Sequence, residues 1–373
     1  MELGMPIMPK DNTLAIQKWA EKPLKQIAPL QRGFDLPSSQ LTMGPYPVVY
    51  SNGIVNYHNK YMVKAPGIVT GRSGTIGKVT YVTQDFWPHN TSLWVTNFHG
   101  NDTKFIYYLY LFIGLERFST GSGVPTLNRN DVHDFRASLP PIHEQKAIAQ
   151  VLSDTDALIQ ALEKKITKKK SIKKGVMQKL LTPKEGWVTT PLTEVVDYTH
   201  GKAHEKDIVE NGKYVVVNSK FISQDGAVVK YSNSNFCKAK SGDILTVLSD
   251  LPNGKALAKC FHVTEDDKYA VNQRICIWRP KKGNYPIFLK YLLNRNKYFL
   301  ALDDGVSQTH ILNHHIEKCE ISIPADFDEQ KKIGTILFDL DKEIAQIEQN
   351  LSKFQFAKQG LMQQLLTGKI RLV

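Results

Sequence analysis

The 373-residue chain has only four cysteines, no long apolar run and fewer acidic than basic side chains. Each shortage excludes something. Cys237, Cys260, Cys276 and Cys319 all lie in the second half, and no two form a C-x-x-C knuckle. That spacing offers no zinc motif and no disulfide framework, and suits reduced core thiols of a cytosolic protein. No stretch approaches the roughly 18 consecutive apolar residues of a membrane span. The first residues lack the apolar core of a signal peptide. The expected location is therefore the cytoplasm, with no membrane partner. Against 48 Lys and Arg stand 36 Asp and Glu, a formal net charge of +12 and a pI near 9.3. Such a balance favours a polyanionic partner, nucleic acid first, although a merely basic soluble protein remains open on charge alone.

Catalytic motifs are also missing. "GRSGTIGKV" at 71–79 echoes a phosphate loop, but the glycine spacing is wrong and Val79 stands where a magnesium-binding hydroxyl belongs. It is either a glycine turn between strands or a close approach of backbone to a phosphate, with Lys78 helping. Glu-x-Lys at Glu144 and Glu329 resembles a metal-dependent nuclease pair. Both copies open helices, where a glutamate suits the first turn through the helix dipole. His310, His314 and His315 lack helical zinc spacing. There is no Asn/Asp-Pro-Pro-aromatic tetrapeptide and no Gly-x-Ser-x-Gly elbow. No metal or cofactor is expected on this chain, and no active site.

What the chain does contain is a repeat. Residues 144–182 and 329–367 align without a gap, and seventeen of the 39 positions are identical. Glu144/Glu329, Gln145/Gln330, Asp156/Asp341, Gly175/Gly360 and a closing "LLT" recur in step. Each copy reads as one long helix with apolar residues at alternating steps of four and three. Ile148, Leu152, Ile159, Leu162 and Ile166 mark the first stripe, and Ile333, Leu337, Ile344, Ile347 and Leu351 the second. That period is a coiled-coil seam, so the two helices are expected to pair with each other. "KKITKKKSIKK" at 164–174 is a solvated face, or a contact for phosphates or an acidic partner.

The segments ahead of the helices match more faintly. "WAEKPLKQIAPLQRG" (19–33) aligns with "WVTTPLTEVVDYTHG" (187–201), and "GSGVPTLNRNDVHDFRASLP" (121–140) with "GVSQTHILNHHIEKCEISIP" (305–324). "GIVTGRSGTIGKVTYV" (67–82) resembles "GDILTVLSDLPNGKALAKCFHV" (242–263) with an insertion. β-Branched runs such as "YPVVYSNG", "KYVVVNSK" and "QRICIWRP" predict strands. "TKFIYYLYLFIGLERF" and "YPIFLKYLLNRNKYFLAL" predict buried helices. The fold class is α+β with a pseudo-twofold internal repeat. Residues 1–140 and 187–324 form globular domains, and 141–186 and 325–373 the repeat helices.

The doubled phrases "LPPIHEQKAIAQVLSDTDALI" and "IPADFDEQKKIGTILFDLDKEI", the Trp-Pro-Leu openings, "GTIGKV" and the closing "MQKLLT"/"MQQLLTGKIRL" resemble the specificity (S) subunit of type I restriction–modification systems. The second domain departs from "GTIGK", carrying "LPNGKA". The resemblance spans nearly the whole chain. It implies two target-recognition domains, each reading half of a bipartite double-stranded DNA site, held apart by an antiparallel coiled-coil ruler. It implies a non-catalytic role, with two methyltransferase subunits and the restriction (translocase/endonuclease) subunits as partners. S-adenosylmethionine, ATP and Mg would sit on those partners. The DNA-reading candidates are Arg72, Ser73, Lys78, Asn128 and Arg129 in the first domain. In the second they are Lys202, Asn253, Lys255, Gln308, His310 and Asn313. A stand-alone architectural or regulatory DNA binder, a coiled-coil scaffold without DNA and a self-sufficient enzyme are the rival readings.

Overall fold

A computed structural model describes residues 19–120, 124–252 and 254–372. The candidate Asn253 lies outside the described residues. The chain divides into two compact units. The first comprises the chain up to Glu163 together with Gln349 onward, and the second spans Lys164–Glu348. Each long helix therefore contributes to both units.

The first unit is built on an antiparallel four-stranded sheet ordered Leu30–Arg32, Ser92–Val95, Gly67–Gly71, Val79–Val82. A smaller sheet joins Tyr46–Tyr50 to Gly53–His58 and Trp87–Pro88. The helix Thr103–Ile113 packs on the large sheet, burying Phe105, Ile106, Leu109 and Tyr110. Asp102 caps its N-terminus by accepting from the Phe105 N–H, satisfying one of the orphan donors of the first turn. The second unit repeats this plan. Its sheet runs Val196–His200, Ile275–Pro280, Ile244–Val247, Cys260–His262, again antiparallel throughout.

Both buried helices depart from expectation, and the first ends at Ile113, where left-handed Gly114 leads into a short 3-10 turn at Leu115–Phe118. The apolar stretch after Tyr285 forms two helices, Pro286–Leu293 and Lys297–Leu300. Between them Asn294 turns its side chain to accept from the Cys260 N–H, Arg295 adopts φ 56°, and Asn296 caps the second piece. A tertiary hydrogen bond and a local cap thus interrupt a pattern that is periodic in sequence.

The long helices are Ile142–Leu180 and Phe327–Leu365, 39 residues each. They pack together and run antiparallel. In the second unit Lys169 pairs with Glu343 at 2.7 Å and Lys173 with Asp341. In the first unit Lys358 pairs with Asp156. The last two pairs are equivalent under the repeat, as are the tyrosines donating to each carboxylate, Tyr108 to Asp156 and Tyr291 to Asp341. Lys169, Lys173 and Lys358 occupy stripe positions, so the charged breaks in the seam are ion pairs. Of the apolar positions, Ile148, Leu152, Ile159, Ile166, Ile333, Leu337, Ile344 and Ile347 are buried, and Leu162 and Leu351 half-buried.

Each globular core is closed by both helices. Ile148, Ala149 and Leu152, from the start of the first helix, join Leu365 and Leu366, from the end of the second, in the first core. Ile333 and Leu337 bury in the second core, with Val176, Met177 and Leu180 packed against them. The repeated Glu-Gln pair anchors these junctions. Buried Glu144 accepts from the Trp19 indole and from Arg371, and its counterpart Glu329 accepts from Trp187 and Lys184. Gln145 and Gln330 each tie the start of a long helix to the start of a buried helix. Their side chains accept from the Asp102 and Tyr285 N–H groups and donate to the Pro140 and Pro324 carbonyls. Both glutamates of the doubled Glu-x-Lys pattern are thus engaged in holding helix starts to the chain around them. Among the described residues no helix is long and apolar enough to cross a membrane.

Candidate nucleic-acid interface

The two units carry grooves at the same place in their folds. In the first, a groove of about 470 Å³ is lined by Arg32, Arg72, Leu93, Thr126, Leu127, Asn128 and Arg129. In the second, a groove of about 720 Å³ is lined chiefly by His200, Ser249, Gln273, Arg274, His310 and Asn313. Leu248, Ile311, Leu312, His314 and Glu317 complete it.

Both grooves rest on one hydrogen-bond pattern. The Arg72 N–H donates to the Thr91 carbonyl at 2.9 Å, and the Leu127 N–H donates to the Arg72 carbonyl at 2.8 Å. In the second unit the Leu248 N–H donates to the Arg274 carbonyl at 2.9 Å, and the Ile311 N–H to the Leu248 carbonyl at 2.8 Å. Ser73 bridges to Thr126 as Ser249 pairs with His310. A segment after the third sheet strand is thereby clamped between the edge of the next strand and the loop entering a short helix. That helix is Arg129–Asp134 in one unit and Asn313–Glu317 in the other.

Gly71 makes the clamp possible. A Cβ there would lie 1.7 Å from the Thr75 carbonyl oxygen, so only glycine fits. On the far side, the Leu30 N–H donates to His133 Nε2 at 2.8 Å, fixing the short helix against the strand that bears Arg32. Burial, and then the Arg129 charge, hold the His133 pKa below its usual value.

The side chains on this common frame differ. Arg32 faces the groove where the second unit has His200, by the alignment of the opening segments. Arg72 is replaced by Leu248, Thr126 by His310 and Arg129 by Asn313. In the second groove His200 Nε2 lies 2.6 Å from Asn313 Oδ1, and the Tyr198 hydroxyl donates to Glu317. Burial, then His314 and Lys318, lower the pKa of neighbouring His315, whose Nδ1 accepts from the Leu312 N–H.

Of the candidates named from sequence, the structure gathers Arg72, Asn128 and Arg129 in one groove, and His310 and Asn313 in the other. Asn128 also caps its helix, accepting from the Asn130 N–H. Gln308 donates to Ser249 at the edge of the second groove. Lys78 is elsewhere, its amine on the Asn52 carbonyl and its stem in a different depression, beside Tyr107 and Tyr108. Lys202 and Lys255 are exposed and line neither groove. Sequence reasoning missed Arg32, His200, Gln273, Arg274 and Glu317. The alignment of 19–33 with 187–201 places Arg32 opposite His200 and could have exposed that pair. Among the described residues no group of three or more His, Cys, Asp or Glu is placed to hold a metal ion.

The type I restriction modification DNA specificity domain matches residues 16–173 and again 184–353. The chain is 29% identical to the type I restriction enzyme MjaVIII specificity subunit of Methanocaldococcus jannaschii over 301 residues, 71% of this chain and 70% of that one. It is 26% identical to the putative MjaX specificity subunit of the same organism, across 66% of this chain and 62% of the relative. Among solved structures, the S subunit of a type I restriction–modification system from M. genitalium superposes with a TM-score of 0.68 at 19% identity, covering 96% of this chain and 99% of that one. A chain from a type I R-M assembly gives 0.54 at 14% identity, covering 95% and 98%. With two copies of the family domain filling most of its length, the chain belongs to the DNA specificity subunits of type I restriction–modification systems.

Proposed function

We propose that this chain reads a bipartite double-stranded DNA target, one half with each groove, and carries the partner subunits that methylate and cut. The observation that bears most weight is the pair of grooves on one backbone frame with different side chains. A shared frame docks two half-sites alike, and the divergent side chains read different bases. Among the described residues the first groove carries three arginines and no lining carboxylate, which suits phosphate and base edges in B-DNA. The paired helices serve as the ruler. Each has 39 residues, and at about 1.5 Å per residue that is roughly 58 Å, an upper bound on half-site separation.

The chain itself is non-catalytic in this reading. Two methyltransferase subunits dock on it and supply S-adenosylmethionine, flipping each target adenine from the stack to reach it. The restriction subunits bring ATP- and Mg-dependent translocation and cleavage. A map of N6-methyladenine in host genomes with the gene intact and deleted tests this. Loss of a single bipartite motif on deletion is the expected result, and an unchanged map would refute it.

A further inference from the structure

Resting on that DNA-reading role, we propose that Arg72 reads a guanine in the half-site of the first unit, while Arg129 holds a phosphate. Arg72 sits half-buried in the groove, its backbone clamped on both sides by hydrogen bonds to Thr91 and Leu127. Among the described residues its guanidinium has no hydrogen-bond or ion-pair partner, and no carboxylate lines the groove. Arg32, by contrast, is engaged by Asp35 at 3.2 Å. A planar fork on a fixed backbone, aimed into a groove without a competing anion, matches the O6 and N7 acceptors of guanine in the major groove. Arg129 starts the short helix at the exposed rim. An exposed rim cation meets the DNA backbone, which positions without specifying.

The second unit sharpens the assignment. At the place of Arg72 it has buried Leu248, which offers no donor, and at the place of Arg129 it has Asn313. The guanine contact therefore belongs to one half-site alone, and the two halves of the target differ at the corresponding position.

The test maps N6-methyladenine in cells carrying the complete system with wild-type, Arg72→Ala, Arg72→Gln or Arg129→Ala chains. In the wild type, one half of the motif contains a fixed G·C pair. Arg72→Ala is expected to make that position degenerate, with roughly a 10- to 100-fold loss of discrimination, and to leave the other half unchanged. Arg72→Gln is expected to move the preference toward adenine, because a glutamine amide matches adenine N6 and N7. Misfolding cannot produce such a new preference. Arg129→Ala is expected to lower methylation evenly across sites with the motif intact. The proposal is overturned if both Arg72 variants keep the wild-type motif, or if they lose methylation evenly at every site. It is equally overturned if the altered half has no fixed G·C pair. A wild-type chain that directs no bipartite methylation would instead remove the underlying function.

Discussion

The buried glutamines at the helix junctions carry a prediction that follows from their bonding. Gln330 is 1% exposed; it accepts from the Tyr285 N–H at 2.9 Å and donates to the Pro324 carbonyl at 3.0 Å. Gln330→Leu keeps nearly the same volume, so little cavity forms, but it strands a buried carbonyl and a half-buried N–H. Each orphaned group costs about 1–3 kcal/mol, giving roughly 2–6 kcal/mol in all. Gln145 is 2% exposed and has a third partner, Asn101, at 2.9 Å. That side chain is half-buried and within reach of water, so Gln145→Leu should cost about the same. The location of the damage should differ. Hydrogen exchange should quicken across 103–113 in Gln145→Leu and across 286–293 in Gln330→Leu, each sparing the other unit. Gln363→Leu, at an exposed position, should stay within about 0.5 kcal/mol of wild type. Denaturant titration with residue-resolved exchange decides the matter. Equal stability for Gln330→Leu and the control, or protection lost in both units together, would refute the reasoning.

Other outcomes follow from the same contacts. Leu337→Ala, at a fully buried position in the second core, should cost about 2–5 kcal/mol in denaturant titration. Gly71→Ala should displace the clamped segment and weaken DNA binding by the first groove, measured as loss of one half-site's specificity. Burial is the largest influence on Glu144 and Asp341 and pushes both pKa values up. Hydrogen bonds from Arg371, Trp19 and Leu372 in one case, and from Lys173 and Tyr291 in the other, still bring them below their ordinary values of 4.5 and 3.8. Their stabilising contribution is therefore present above those ordinary values and lost as pH falls through the lower folded-state ones, which acid titration of unfolding checks. All four cysteines are buried, with Cys260 and Cys319 pushed up to about 12 by burial. Native protein should react with a thiol reagent only at the rate of unfolding, and rapid modification would contradict the packing.

Much of the architecture was legible because the chain states it twice. Asp156 and Asp341, or Gln145 and Gln330, recur at one offset, and a residue kept in step over such a distance marks an equivalent place. The helical stripe followed from 3.5-residue spacing. The break at Arg295 was not legible, since it depends on Asn294 reaching a backbone N–H 34 residues away in the chain. The grooves were half legible. Arg72, Asn128, Arg129, His310 and Asn313 flank glycine-rich or turn-forming segments that sequence marks as loops. Lys78, Lys202 and Lys255 have the same local character, and only strand register shows that they line neither groove. Arg32 and His200 lie within strands and look like solvated edge residues until pairing with Leu93 and Cys276 places them beside the grooves.

The closure of each core by both long helices sets an order of birth. The second unit is continuous in the chain, so every residue it needs has left the ribosome once Glu348 is out. The first unit must wait for Leu365 and Leu366, more than 200 residues beyond the last of its globular segment. The domain synthesised first is thus the domain finished last, and in the interval its core lacks the two leucines that complete it. A nascent chain arrested when Glu348 has just emerged should hold a native second unit and an incomplete first one. The Glu144 carboxylate, held by the Trp19 indole alone until Arg371 and Leu372 arrive, would report the moment of completion.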